Sequence, residues 1–285
     1  MIPNEIQDSL DTPTPSVRPN RVGGMIAVIG GKGGVGKTNI ATNLAIAAAG
    51  LRARVLLIDG DLGLANIDVL LGLTPRCTAA EILDGNCDFN DALIKGPNGI
   101  DLIPASSARM DLASSRPEQL TRLLAPLLAA GPGYDLVFVD VGSGISATVL
   151  SLASVCDRAL LVTTPEPMSV ADAYGTLKVM SRTAPSLPVE LLVNAVENEL
   201  QAHATHRQLE LVGERFLGQK ISMFGYLRRD ISLERAAFSQ RAVVEAYPSA
   251  VVSQQIVGLA ARLVNDVRHD NPVSFQKRLW KRVPT

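Results

Sequence analysis

The octapeptide Gly31-Lys32-Gly33-Gly34-Val35-Gly36-Lys37-Thr38 constrains this chain more than any other stretch. Its four glycines let the backbone turn sharply and aim successive N–H groups at one place. The run Met25-Ile26-Ala27-Val28-Ile29 before it reads as a buried parallel strand, and Asn39 to Ala49 after it is Ala- and Leu-rich and helix-prone. Strand, glycine loop and helix in that order make a phosphate-binding loop, with the positive end of the helix adding to the attraction for an anion. Gly31, Lys32, Gly33, Gly34, Val35, Gly36, Lys37, Thr38 and Asn39 are therefore expected to surround a nucleoside triphosphate. Lys37 should reach the β- and γ-phosphates, and the Thr38 hydroxyl should coordinate Mg2+. Lys32 is additional, because a phosphate loop has no need of a second lysine.

Further apolar strands are expected at residues 54–59, 100–104, 136–140, 159–163, 189–193 and 221–226. Helices are expected at about 78–84, 117–130, 145–155, 168–183, 205–217 and 248–268. This alternation predicts an α/β fold, a single doubly wound, mostly parallel sheet with helices on both faces. Ligands in such folds lie beyond the carboxyl ends of the strands. Asp59 and Asp140 each end an apolar strand there, beside the phosphate loop. Either aspartate alone could instead cap a following helix. Their convergence points to Mg2+ and water organisation, with Thr38, Asp59, Asp61 and Asp140 as the metal set.

At 285 residues and 47% hydrophobic content, the chain is long enough for one large core and too apolar for disorder. Residues 1–22 hold four prolines and read as a flexible arm, residues 23–270 as the nucleotide-binding domain and 271–285 as a separate tail. A net charge of −1 argues against a generally basic nucleic-acid binder. Cys77, Cys87 and Cys156 show no Cys-x-x-Cys pair, so packed thiols in a reducing cytoplasm are expected rather than zinc or a disulfide framework. No apolar run reaches the roughly 18 residues of a spanning helix, and no secretory pattern opens the chain.

The loop with its extra lysine resembles that of the MinD/ParA family of dimerising ATPases. The resemblance covers about residues 22–250 and extends to the FlhG/FleN regulators of flagellar number, through the segments 61–75, Thr164-Pro165-Glu166-Pro167 with Asp172-Ala173-Tyr174, and 240–248. It implies that Lys32 reaches across a dimer interface to the partner's nucleotide, with Asn66, Glu166 and Asp172 as interface partners. It implies slow Mg2+-dependent ATP hydrolysis in which Asp61 orients the attacking water and accepts its proton, with Lys32 and Lys37 neutralising charge. Asp59 would support the site from behind, Asp140 would bind Mg2+ through water, and the Gly144 N–H could sense the γ-phosphate. Asn194 is similar to the residue that reads the adenine edge, which gives ATP as the cofactor with Mg2+.

Three features depart from the family pattern. Val141 stands where a hydroxyl residue is expected, and Arg228 stands where proline is usual, so Arg228 could stack on the base or point to solvent. Residues 1–22 lack the Asp-Gln-Ala-x-x-Leu-Arg element of many FlhG proteins. Partners implied by the resemblance are a second copy of the chain, the FlhF GTPase, a FleQ-type transcription activator and proteins of the flagellar switch complex. A MinD-like division-site regulator and a ParA-like DNA-partitioning ATPase are the alternatives.

Asn271-Pro272 reads as a helix start. At 100° per residue, Phe275, Leu279, Trp280 and Val283 share one side, with Lys277, Arg278, Lys281 and Arg282 on the other. These four basic residues leave −5 on residues 1–270, which argues against nonspecific DNA as a partner and for an anionic membrane surface. The chain is thus expected in the cytoplasm, peripheral to the inner face of the cell membrane when ATP-bound. Two tails presented by a dimer would hold more firmly than one.

Overall fold

The computed structural model describes residues 24–61, 66–105 and 133–269. The N-terminal arm, the expected helix at 117–130, part of the first switch segment at 62–65 and the tail at 271–285 lie outside the described residues.

The elements in chain order are β1 (Gly24–Ile29), α1 (Lys37–Gly50), β2 (Val55–Gly60), α2 (Ile67–Leu71), α3 (Ala79–Asp84), α4 (Phe89–Ala92), β3 (Ile94–Lys95) and β4 (Asp101–Ile103). They continue as β5 (Leu136–Val141), α5 (Ala147–Ser154), β6 (Arg158–Thr163), α6 (Pro167–Thr183), β7 (Val189–Val196), α7 (Glu199–Leu217), β8 (Ser222–Arg228), α8 (Ile231–Phe238), α9 (Val243–Ala246) and α10 (Val251–His269). Among the described residues, eight strands form one sheet in the order β3-β4-β2-β5-β1-β6-β7-β8, parallel except where β3 meets β4.

Alternation along each strand explains why both faces are covered. Met25, Ala27 and Ile29 of β1 pack into one core with α3, α5, α6 and α7, while Ile26 and Val28 pack into a second core with α1 and α10. Helix α1 is apolar around most of its circumference because the sheet lies on one side of it and α10 on another. Strand order reverses at β1, whose chain continues to β2 beyond β5 while β6 lies on its other side. The phosphate loop leaves β1 at that point.

Four differences from the sequence expectation have local causes. Helix α7 starts at Glu199 rather than 205, because the Asn198 side chain accepts the Gln201 N–H as a cap. β7 runs on to Val196 through a register shift, with Ala195 at φ 56°. The short α2, α4, α8 and α9 were not expected. Cys77 and Cys87, expected as separate thiols, are joined in a disulfide, their Cα atoms 6.6 Å apart. One short helix, α3, and the left-handed turn at Gly85 fold the chain back between them, a proximity that sequence spacing does not display. Cys156 is a buried thiol, as expected.

Candidate functional site

Two glycines fix the phosphate loop against its surroundings. A Cβ on Gly31 would lie 2.3 Å from the carbonyl carbon and oxygen of Asp172, and one on Gly36 would lie 2.5 Å from Asn194 Nδ2. Gly36 also stands at φ 96°, immediately before α1, so the unsatisfied N–H groups of the first helical turn open into the loop. Lys37 is buried at the start of α1 and donates from Nζ to Ser143 Oγ at 2.6 Å. Burial lowers its pKa, against the opposing pull of Asp140 and Asp61.

Asp59 and Asp140 face each other across the β2–β5 register, both buried. The Asp59 carboxylate accepts N–H bonds from Asp61 at 3.1 Å, Asn66 at 3.2 Å and Ile67 at 3.3 Å, so it caps α2 from beneath. Burial, then Asp140, push its pKa up to about 8, while those N–H bonds pull it down. Burial raises Asp140 to about 7, against the Thr38 hydroxyl bonded to it and Lys37. Oδ1 of Asp140 is buried with no hydrogen-bond partner. A buried carboxylate oxygen left unpaired beside a hydroxyl fits a hard divalent cation or its water shell. Thr38 and Asp140 would therefore hold Mg2+ brought with a nucleotide, whereas both Asp59 oxygens already serve backbone groups. The partly exposed Asp61 carboxyl lies against Gly142, 3.3 Å from where a Cβ there would stand.

A cleft of about 560 Å3 opens beside Gly34, Val35, Gly36 and Asn39, walled by Asn194, Ala195, Arg228, Asp230 and Leu233. Its size suits a nucleobase and sugar. Asn194 Nδ2 donates to the Val35 carbonyl at 2.8 Å, and its Oδ1 is buried without a partner. Arg228 lines the cleft with its side chain exposed, and its main-chain N–H donates to Gln255 Oε1.

Lys32, Glu166 and the Asp172 backbone lie together beside the phosphate loop. Lys32 is 45% exposed and pairs with Glu166 of the same chain at 3.7 Å. The Asp172 backbone abuts Gly31, and exposed Asn66 precedes α2. Gly33 faces Ser143. The Gly144 N–H is engaged, donating to the Gly30 carbonyl at 3.2 Å. Val141 is part of the core, and the segment's hydroxyl comes two residues later at Ser143. The sequence reading missed Ser143, whose only signal was a hydroxyl in an otherwise glycine-rich segment. It also missed Ala195 and Leu233. Phe275, Lys277, Arg278, Leu279, Trp280, Lys281, Arg282 and Val283 lie outside the described residues.

A family model for the CobQ/CobB/MinD/ParA nucleotide binding domain matches residues 26–243. The antiactivator FleN of Pseudomonas aeruginosa is 38% identical over 239 residues, covering 84% of this chain and 85% of its own. The flagellum site-determining protein YlxH of Helicobacter pylori is 28% identical over 264 residues, covering 90% of this chain and 89% of its own. In fold, the septum site-determining protein MinD of Pyrococcus horikoshii, complexed with Mg-ADP, is similar at a TM-score of 0.71 and 22% identity, over 84% of this chain and 95% of that one.

Proposed function

The chain belongs to the CobQ/CobB/MinD/ParA nucleotide-binding family and is an ATPase of it, and from that premise we propose an ATP-dependent dimerising switch. In its ATP state it binds the inner membrane, and it regulates flagellar number or placement. One observation supports the reading: the loop's two lysines differ in burial and partners. Lys37 is buried and bonded to Ser143, whereas Lys32 is 45% exposed, which favours a role for Lys32 toward the nucleotide of a second copy. Glu166 pairs with Lys32 and the Asp172 backbone abuts Gly31, and these two, with Asn66, would meet the partner copy.

Within one site, Thr38 and Asp140 would hold Mg2+ brought with a nucleotide, and Asp59 fixes the start of α2 behind the switch. Mg2+ bound with ATP supplies charge neutralisation at the phosphates. Asp61 orients the attacking water and accepts its proton. Asn194 and Arg228 lie on the base side of the cleft and would read the adenine. The basic tail, with Trp280 beside four cations, anchors the dimer to anionic lipid. Partner candidates are the FlhF GTPase, a FleQ-type transcription activator and the flagellar switch complex. FleN and YlxH, whose names concern antiactivation and flagellar siting, favour the flagellar role over division-site placement.

Sedimentation with Mg-ATP and Mg-ADP tests the switch. The Asp61→Ala chain should bind ATP, fail to hydrolyse it and sediment as a dimer, and Lys32→Ala should bind ATP as a monomer. An Asp61→Ala chain that stays monomeric at saturating Mg-ATP would sink the proposal. Liposome binding of the full chain against one ending at Asp270 tests the anchor. Flagellar counts in a deletion strain test the role, since minicells would mean division-site control instead.

A further inference from the structure

The loop after β5 lies in the phosphate cradle. Ser143 Oγ accepts a 2.6 Å hydrogen bond from Lys37 Nζ, the one such bond that this ammonium donates among the described residues. It also stands 3.9 Å from where a Cβ on Gly33 would be. The Gly144 N–H, bonded to the Gly30 carbonyl, ties down the same loop. Ser143 itself is exposed, so nothing in the core obliges its hydroxyl to face Lys37. Gly34, Val35 and Gly36 border the base cleft whereas Gly33 and Lys37 do not, which puts Ser143 at the end of the cradle away from the base. A nucleotide with its base in the cleft would direct its terminal phosphate to that end.

We propose that Ser143 is a positioning residue that discriminates ATP from ADP, its hydroxyl standing in for a γ-phosphate oxygen on Lys37 until a triphosphate displaces it. The β-phosphate of ADP takes another of the three N–H groups of Lys37 and leaves the Lys37–Ser143 bond in place. ATP must break it, and the loop released from Lys37 can then part from Gly30, freeing the Gly144 N–H for the γ-phosphate. Binding of the third phosphate thus becomes the event that moves the loop carrying Asp140 at its base. The inference deepens the switch reading but requires only nucleotide binding, not association or membrane contact.

The test is equilibrium binding of fluorescent ATPγS and fluorescent ADP, with Mg2+, to the full chain and to Ser143→Ala and Ser143→Thr. Each is repeated on a Lys32→Ala background, so that a chain unable to dimerise still reports. A hydrogen bond to a charged group is lost from the free protein alone, so Ser143→Ala should bind ATPγS roughly tenfold tighter. Its ADP affinity should stay within about twofold, well below the effect of one such bond. Ser143→Thr, which keeps the hydroxyl, should match the unsubstituted chain on both nucleotides. Equal changes for both nucleotides, weaker ATPγS binding by Ser143→Ala, or a threonine variant that behaves like alanine would each overturn the proposal.

Discussion

Gly31→Ala should damage the protein before any nucleotide arrives, and Gly33→Ala, two residues away, should not. An alanine methyl at 31 would sit 2.3 Å from the Asp172 carbonyl carbon and oxygen and 2.8 Å from the Ala173 nitrogen. Non-bonded carbon contacts relax near 3.5 Å, so roughly 1 Å of displacement is needed. Helix α6 resists, because its Ala173, Leu177 and Met180 are buried in the core on that face of the sheet. The Asp172 carbonyl also accepts the Thr176 hydroxyl at 3.1 Å. The phosphate loop is therefore the part that moves. Overpacking of this kind costs about 1–3 kcal/mol, which for a chain of this size lowers Tm by roughly 2–5 °C. At Gly33 the nearest atom to an added methyl is Ser143 Oγ at 3.9 Å, an ordinary contact. That substitution should leave the nucleotide-free stability unchanged or raise it by up to about 1 kcal/mol through the unfolded chain. Urea denaturation of the two variants without nucleotide decides the matter. Coincident midpoints, or a lower midpoint for Gly33→Ala, would refute the packing argument.

The raised pKa values of Asp59 and Asp140 give a pH signature. Carboxylates whose folded pKa values are about 8 and about 7 hold protons that the unfolded chain, with values near 3.8, releases. Their contribution to nucleotide-free stability is therefore fully present below about pH 3.8 and is lost progressively as pH rises from there through about 7 and about 8. Urea midpoints should fall between pH 5.5 and 7.5, and less steeply in Asp140→Asn; equal slopes would exclude the pair as the cause. Asn194→Ala leaves the Val35 carbonyl without its buried donor, an expected loss of about 1–3 kcal/mol, together with weaker selection for adenine over guanine nucleotides in competition binding. Selectivity unaltered by that substitution would remove Asn194 from base recognition. Reducing the Cys77–Cys87 bond opens a loop ten residues long and should cost roughly 2–3 kcal/mol, read as a lower urea midpoint in dithiothreitol.

What the sequence revealed depended on how locally each feature is determined. β1, α1 and the loop between them come from contiguous residues with one period or one glycine pattern, and their limits fall close to those expected. The ends of β2 and β5 were legible for the same reason, since Asp59 and Asp140 interrupt apolar runs. Helix α2 was not, because five residues carry too little period and its N–H groups are satisfied by Asp59, seven and eight residues earlier. The Lys37–Ser143 and Asn194–Val35 bonds span 106 and 159 residues, and only the sheet order brings their partners together. The disulfide likewise depends on a turn rather than on spacing.

Helix α6 joins the separate parts of the site. Its backbone at Asp172 and Ala173 fits against Gly31 with no room for a methyl, and Glu166, just before its first turn, holds Lys32. Thr163, at the end of β6, and Thr164 both bond the Ser169 hydroxyl inside that first turn, so the helix is pinned to the sheet where the nucleotide cleft begins. A loop that shifts to close on phosphates therefore cannot move independently of α6. Since Glu166 and the Asp172 backbone lie beside Lys32 and Gly31, a local response to the phosphates would reorient the surface proposed to meet a second copy. The coupling needs no long chain of residues, because Gly31 lies in the nucleotide loop and touches the helix of the proposed interface.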